Sequence, residues 1–195
     1  MIIWLNGAFG SGKTTCAFEL ARRLPNAYVY DPENIGYFLF NNVPKPLLKS
    51  DFQDYEQWRS FNYEMLSFIA EQYDGTIIVP MTINNPLYYQ EIVQKLIDDG
   101  ISLKHFILYA DKETILKRLN KRLERGETWA KAQIDRCIQA FNTEITEEKI
   151  ITDHKSVDEV VEEIAKRSNI ELLPDKRSRF KKWLDRMIVL IKHIR

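Results

Sequence analysis

The chain has 195 residues, 45% of them hydrophobic and 29% charged, with 28 Lys/Arg against 28 Asp/Glu. That length suits one α/β domain with an appendage, and the composition excludes a disordered chain and a membrane-spanning bundle. The zero net charge hides an asymmetry: residues 176–195 carry eight Lys/Arg against the single acid Asp185, so an acidic body bears a strongly basic tail that calls for an anionic partner.

Ile2 to Leu5 read as a short buried strand. Gly7-Ala8-Phe9-Gly10-Ser11-Gly12-Lys13-Thr14 follows, and Cys16, Ala17, Leu20, Ala21 and Leu24 then give a helical stripe. Strand, glycine-rich loop and helix in this order make a Walker A loop. Gly7, Ala8, Phe9, Gly10, Ser11, Gly12, Lys13, Thr14 and Thr15 are therefore the expected nucleotide-binding residues. Backbone N–H groups and the positive helix end would hold the phosphates of ATP, Lys13 would bridge the β and γ groups, and Thr14 would ligate Mg²⁺.

Ala27 to Tyr30 read as a second strand ending at Asp31. A carboxylate at the carboxyl end of a parallel strand is placed to accept a hydroxyl proton or to hold Mg²⁺, so Asp31 is the leading catalytic and metal candidate. The competing reading is a turn through Asp31-Pro32-Glu33 that only starts the next helix, and Glu33 could share the role. Residues 33–50 read as a helix and loop ended by Pro44 and Pro46. Asp51 to Tyr73 form a helix aromatic on more than one face, and its rings are divided between core packing and a substrate pocket.

Thr76 to Val79, bounded by Pro80, read as a central parallel strand. Met81-Thr82 stand where a Walker B strand commonly ends in Asp, which shifts metal handling to Thr14 and Asp31. Asn85-Pro86 cap and open the next helix, and Leu103 to Tyr109 form the fourth strand. The helix after Asp111 has a basic side, and Gly126 lies in the loop behind it; Arg118, Arg122 and Arg136 are the candidates for a lid closing over the triphosphate. Lys149 to Asp153 give the fifth strand and its end, the turn at His154-Lys155 would face the base of a nucleotide, and Ser156 with Glu159 make a capping box.

The expected division is a body over 1–174 and a basic amphipathic helix over 175–195. Phe180, Trp183, Leu184, Met187, Ile188, Ile191 and Ile194 keep helical spacing among basic residues, so residues 176–195 fit an anionic membrane surface; packing on the body and docking to a partner protein are the alternatives. Two cysteines without metal-ligand spacing and no signal-peptide pattern point to a reducing cytosol. Nucleic acid is not an expected partner.

The run Met1 to Thr14, Tyr30-Asp31-Pro32-Glu33-Asn34, Asp51-Phe52-Gln53-Asp54-Tyr55, Val79-Pro80-Met81-Thr82 and Ile134-Asp135-Arg136-Cys137 resemble the bacterial tunicamycin-resistance ATP-binding proteins over nearly the whole chain. That family is similar to shikimate kinase, nucleotide kinases and the chloramphenicol phosphotransferase. The resemblance implies a P-loop, three-layer α/β/α fold with a five-stranded parallel sheet in the order 2-3-1-4-5 and an arginine-bearing lid. It also implies ATP binding, protection against tunicamycin, and peripheral attachment to the inner face of the cell membrane. Two functions follow: a kinase using Mg-ATP, with Lys13, Asp31 and the lid arginines acting on a hydroxyl of the drug, or a receptor that sequesters tunicamycin without chemistry.

Overall fold

A computed structural model describes residues 1–121 and 128–193. Five parallel strands, β1 (Ile2–Asn6), β2 (Ala27–Val29), β3 (Thr76–Pro80), β4 (Leu103–Tyr109) and β5 (Lys149–Ile151), form one sheet in the order β2-β3-β1-β4-β5. This is the order that the resemblance implied. Every residue of β1 is buried, because β3 and β4 flank it and helices cover both faces. Alternation along the strand divides the core. Ile2 and Trp4 pack with Trp58, Leu66, Ile92 and Phe141 on one side. Ile3 and Leu5 pack with Cys16, Leu20, Val161 and Ile164 on the other. Strand order reverses around β1, so its carboxyl end opens on the crevice where ligands bind in such sheets.

The helices are α1 (Lys13–Arg22), α2 (Glu33–Asn42), α3 (Glu56–Gln72), α4 (Pro86–Tyr89) and α5 (Lys95–Asp98) joined by a π segment over Gln90–Gln94, α6 (Lys112–Lys121), α7 (Trp129–Ala132), α8 (Ile134–Thr143), α9 (Val157–Ser168) and α10 (Arg179–His193). Asn85 caps α4 by accepting from Leu87 N, and Ser156 and Glu159 close the capping box of α9, both as expected. The helix expected from Asp51 is broken. A 3₁₀ turn spans Phe52–Asp54, and Tyr55 is extended before α3 starts. Asp51 Oδ1 accepts from Gln53 N at 2.9 Å, and the Tyr55 hydroxyl accepts from Lys49 N and donates to Leu47 O, so side-chain bonds hold the break.

α10 lies on the body with its charged side inward. Arg177 Nη2 sits 2.5 Å from Glu19 and 2.8 Å from Asp175, its Nη1 is 2.9 Å from Asp185, and Arg186 meets Asp158 at 2.6 Å. Glu19 of α1 is 2% exposed and Asp185 6%. By contrast Phe180, Trp183 and Ile191 are 70%, 57% and 66% exposed, so much of the apolar stripe faces outward. Three of the basic residues assigned to an external anion, Arg177, Lys182 and Arg186, are thus engaged by carboxylates of the chain itself. Among the described residues, no helix is long and apolar enough to cross a membrane.

The bond from Arg177 holds the carboxyl of Asp175 well below the usual carboxylate range, and Arg177 and Lys181 lower that of Asp185. A depressed folded-state value gives stability that is complete above the unfolded value near 4 and is lost as pH falls through the folded one. The melting temperature is therefore expected to drop through the acid range below about pH 4, with early pepsin cleavage in residues 175–193. A melting temperature unchanged from pH 5 to pH 2 contradicts this.

Candidate active site

The loop between β1 and α1 is shaped by three glycines at positive φ, Gly7 (140°), Gly10 (85°) and Gly12 (102°). At Gly7 close approach adds to the strain, since a Cβ would stand 2.5 Å from Leu108 O. Gly12 has open space where its Cβ would be, so there the backbone angle alone requires glycine. The N-cap of α1 is Gly12, which has no side chain to cap the helix, and a helix N-terminus presents N–H groups suited to an anion. Lys13 is buried, with Nζ 2.9 Å from Gly7 O and 3.1 Å from Ala8 O and 5.5 Å from the Phe9 ring centroid. Ser11 is buried and its N–H turns inward to Ala8 O.

Asn6 and Thr82 hold this loop to the end of β3. Asn6 Oδ1 accepts from Gly7 N (2.8 Å) and Ile83 N (2.9 Å), and its Nδ2 donates to Ile83 O (2.8 Å). Thr82 Oγ1 donates to Gly7 O at 2.8 Å, and Gln53 Nε2 donates to Thr82 O at 3.0 Å. Sequence reasoning missed Asn6 and Gln53 as supports and gave Thr82 only as a missing acid. A polar residue ending an otherwise apolar buried strand was the available signal.

A cavity of about 450 Å³ is bounded on one side by Gly10, Gly12, Lys13 and Thr14 and on the other by Glu33 and Asp51. Phe9, Tyr37, Phe40, Phe52 and Trp129 supply rings to its wall. Of the expected aromatic segment from Asp51, Phe52 reaches the cavity, while Trp58 and Leu66 are core. Burial pushes the carboxyl of Asp51 up, against the lowering effects of the Gln53 N–H and of the Arg136 charge. Asp51 could not be found from spacing, because the segment over 43–55 has to fold back to bring it there.

Asp31 lines a smaller adjoining cavity of about 30 Å³ with Thr14 and Glu33, and Glu33 borders both cavities. Asp31 Oδ1 accepts from Glu33 N at 3.0 Å, so the turn-forming role is present and one oxygen is committed to it. Hydroxyl and carboxylate oxygens around one small space are the donor set that suits Mg²⁺.

The arginines separate. Arg118 does not border either cavity; its guanidinium donates to Thr152 O at 2.6 Å, Thr152 Oγ1 at 3.0 Å and Ser11 O at 3.4 Å, bracing the loop against the end of β5. Arg136 is exposed on α8, and its charge acts on Asp51. Arg122 lies outside the described residues. Both cysteine thiols are buried, and burial pushes that of Cys16 up to about 12 and raises that of Cys137, which disfavours the thiolate in each.

A family model described as an AAA domain matches residues 2–143. Among solved structures, the tunicamycin resistance protein of Deinococcus radiodurans is 28% identical with a TM-score of 0.75, over 89% of this chain and 99% of that one. A shikimate kinase from Bacteroides thetaiotaomicron is 19% identical, TM-score 0.58, over 87% and 99%. The APS kinase of Mycobacterium tuberculosis, in complex with AMPPNP and APS, is 20% identical, TM-score 0.54, over 85% and 95%. The two kinases speak to the fold alone. No curated protein matches in sequence.

Proposed function

We propose, from the premise that this chain belongs to the AAA domain family, that it transfers the γ-phosphoryl group of ATP to a hydroxyl of tunicamycin or a related small molecule at the inner face of the membrane. It is a kinase-like P-loop nucleotide-binding protein. The observation that carries the finer reading is the single cavity bordered by Lys13 and Thr14 on one side and by Glu33, Asp51 and a set of aromatic rings on the other. Phosphoryl transfer needs mainly positioning and charge stabilisation, which this arrangement supplies.

In this scheme the loop N–H groups and Lys13 hold the β and γ phosphates, and the aromatic wall holds the apolar part of the acceptor. Thr14, with Asp31 across the smaller cavity, would hold Mg²⁺, which when bound neutralises phosphate charge. The acceptor hydroxyl loses its proton to Asp31 as its oxygen bonds to the γ phosphorus and the bond to the ADP oxygen breaks. The charge of Arg136 acts on Asp51 in the cavity wall, and Arg118 holds Ser11 and Thr152 together behind the loop. Incubating protein, Mg-ATP and tunicamycin and weighing the drug by mass spectrometry tests this: a species heavier by one phosphoryl group is expected. Binding of both ligands with no heavier species replaces transfer by nucleotide-gated sequestration. Asp31→Asn is expected to lower turnover by at least about 100-fold while leaving the affinity for ATP measured without metal within about twofold.

The outward apolar residues of α10 support a surface attachment of the whole protein, a strap of ion pairs holding the helix while its apolar side enters lipid. With anionic phosphatidylglycerol vesicles, Trp183 emission is expected to shift to the blue and the protein to co-sediment. The pair Trp183→Ser and Ile188→Ser should remain in the supernatant, and sedimentation of that double variant would defeat the assignment.

A further inference from the structure

The strap fixes α10 so that its last described residue, His193, enters the wall of both cavities, beside Thr14 and Glu33 in each. The ring is held twice. Its Nδ1 lies 2.8 Å from Val189 O one turn back, and it packs against Phe18 of α1 with centroids 5.0 Å apart. A carbonyl only accepts, so Nδ1 carries the proton in that contact, and in the tautomer so fixed Nε2 is the nitrogen with a lone pair to offer. Nε2 has no hydrogen-bond partner among the described residues. The carboxylates that share the wall of the smaller cavity with it, Asp31 and Glu33, also only accept when ionised. A ligand group bridging such a set must bring its own proton, which a hydroxyl does and a phosphate oxygen does not.

We propose that His193 is an acceptor-binding residue: its Nε2 accepts a hydrogen bond from a hydroxyl of the small molecule, and α10 thereby completes the acceptor site in cis. The proposal rests on the reading of this cavity as an acceptor site. It makes α10 part of the site as well as a surface element, because the ion pairs of Glu19 and Asp185 set where His193 stands.

The test uses the full chain, tunicamycin as probe and Mg-AMPPNP as nucleotide, with calorimetry for both ligands. His193→Ala is expected to weaken tunicamycin binding about tenfold, one hydrogen bond's worth, with nucleotide affinity within about twofold. His193→Gln, whose Oε1 accepts, should restore part of the loss. Asp185→Ala, remote from the cavities but bonded to Arg22, Arg177 and Lys181, should weaken the drug in the same direction. With only three histidines in the chain, the labelled imidazole of His193 should shift its resonance on saturation with tunicamycin. Unchanged drug binding by His193→Ala overturns the proposal and leaves phosphoryl transfer standing. Equal loss of nucleotide and drug also overturns it, as a packing effect. If His193→Ala weakens the drug while the unaltered protein never phosphorylates it, the transfer reading alone falls; no uptake of tunicamycin by the unaltered protein overturns both.

Discussion

Lys13→Ala is expected to reduce phosphoryl transfer by about 10²- to 10³-fold, the usual cost of deleting one preorganised charge-stabilising donor in a water-poor site. Lys13 is buried, its ammonium lies within 3.1 Å of two loop carbonyls, and the side chain borders the large cavity. No second lysine or arginine borders that cavity among the described residues, so nothing nearby can substitute. Lys13→Arg should fail almost as badly. A planar guanidinium does not fit the space that the Gly7 and Ala8 carbonyls leave for a compact ammonium. Steady-state ADP release measures it, with circular dichroism to show that the fold persists. Retention of more than a tenth of the wild-type rate by Lys13→Ala would remove the loop from the chemistry.

The second large effect falls on stability. Asn6→Ala strips partners from Gly7 N, Ile83 N and Ile83 O at once, in a position with no solvent access. Each stranded buried group costs about 1–3 kcal/mol, and partial relaxation leaves a total of about 3–5 kcal/mol. For a chain of this length that corresponds to a fall in melting temperature of roughly 10 °C. Asn6→Asp keeps an oxygen for the two N–H groups but cannot donate to Ile83 O, so it should fall between. Calorimetry decides, and a loss under about 1 kcal/mol in Asn6→Ala would mean that water or backbone movement replaces the amide.

What was legible in the sequence is what local chemistry dictates. The phosphate loop, the apolar runs of β1, β3 and β4, the Asn85 cap and the Ser156-Glu159 box each carry their cause within a few residues. What was not legible depends on distant partners. Asp51 and Gln53 reach the site because Tyr55 pins the segment before α3, a set of bonds with no periodic signature. Arg118 has the spacing of a lid residue, yet its bonds to Thr152 depend on where β5 ends. The stripe of α10 shows that an apolar side exists but not which way it faces; the inward direction is set by Glu19 on α1, 158 residues from its partner Arg177, and by Asp158 on α9, 28 residues from its partner Arg186.

The proposed kinase depends on the loop after β1 gripping a magnesium nucleotide. Titration of the full chain with Mg-ATP in a calorimeter tests it most directly. One site per chain is expected, weakened at least about tenfold in Lys13→Ala, with ADP binding more weakly than ATP. Folded protein that takes up no nucleoside triphosphate would contradict the account, and with it both phosphoryl transfer and nucleotide-gated capture.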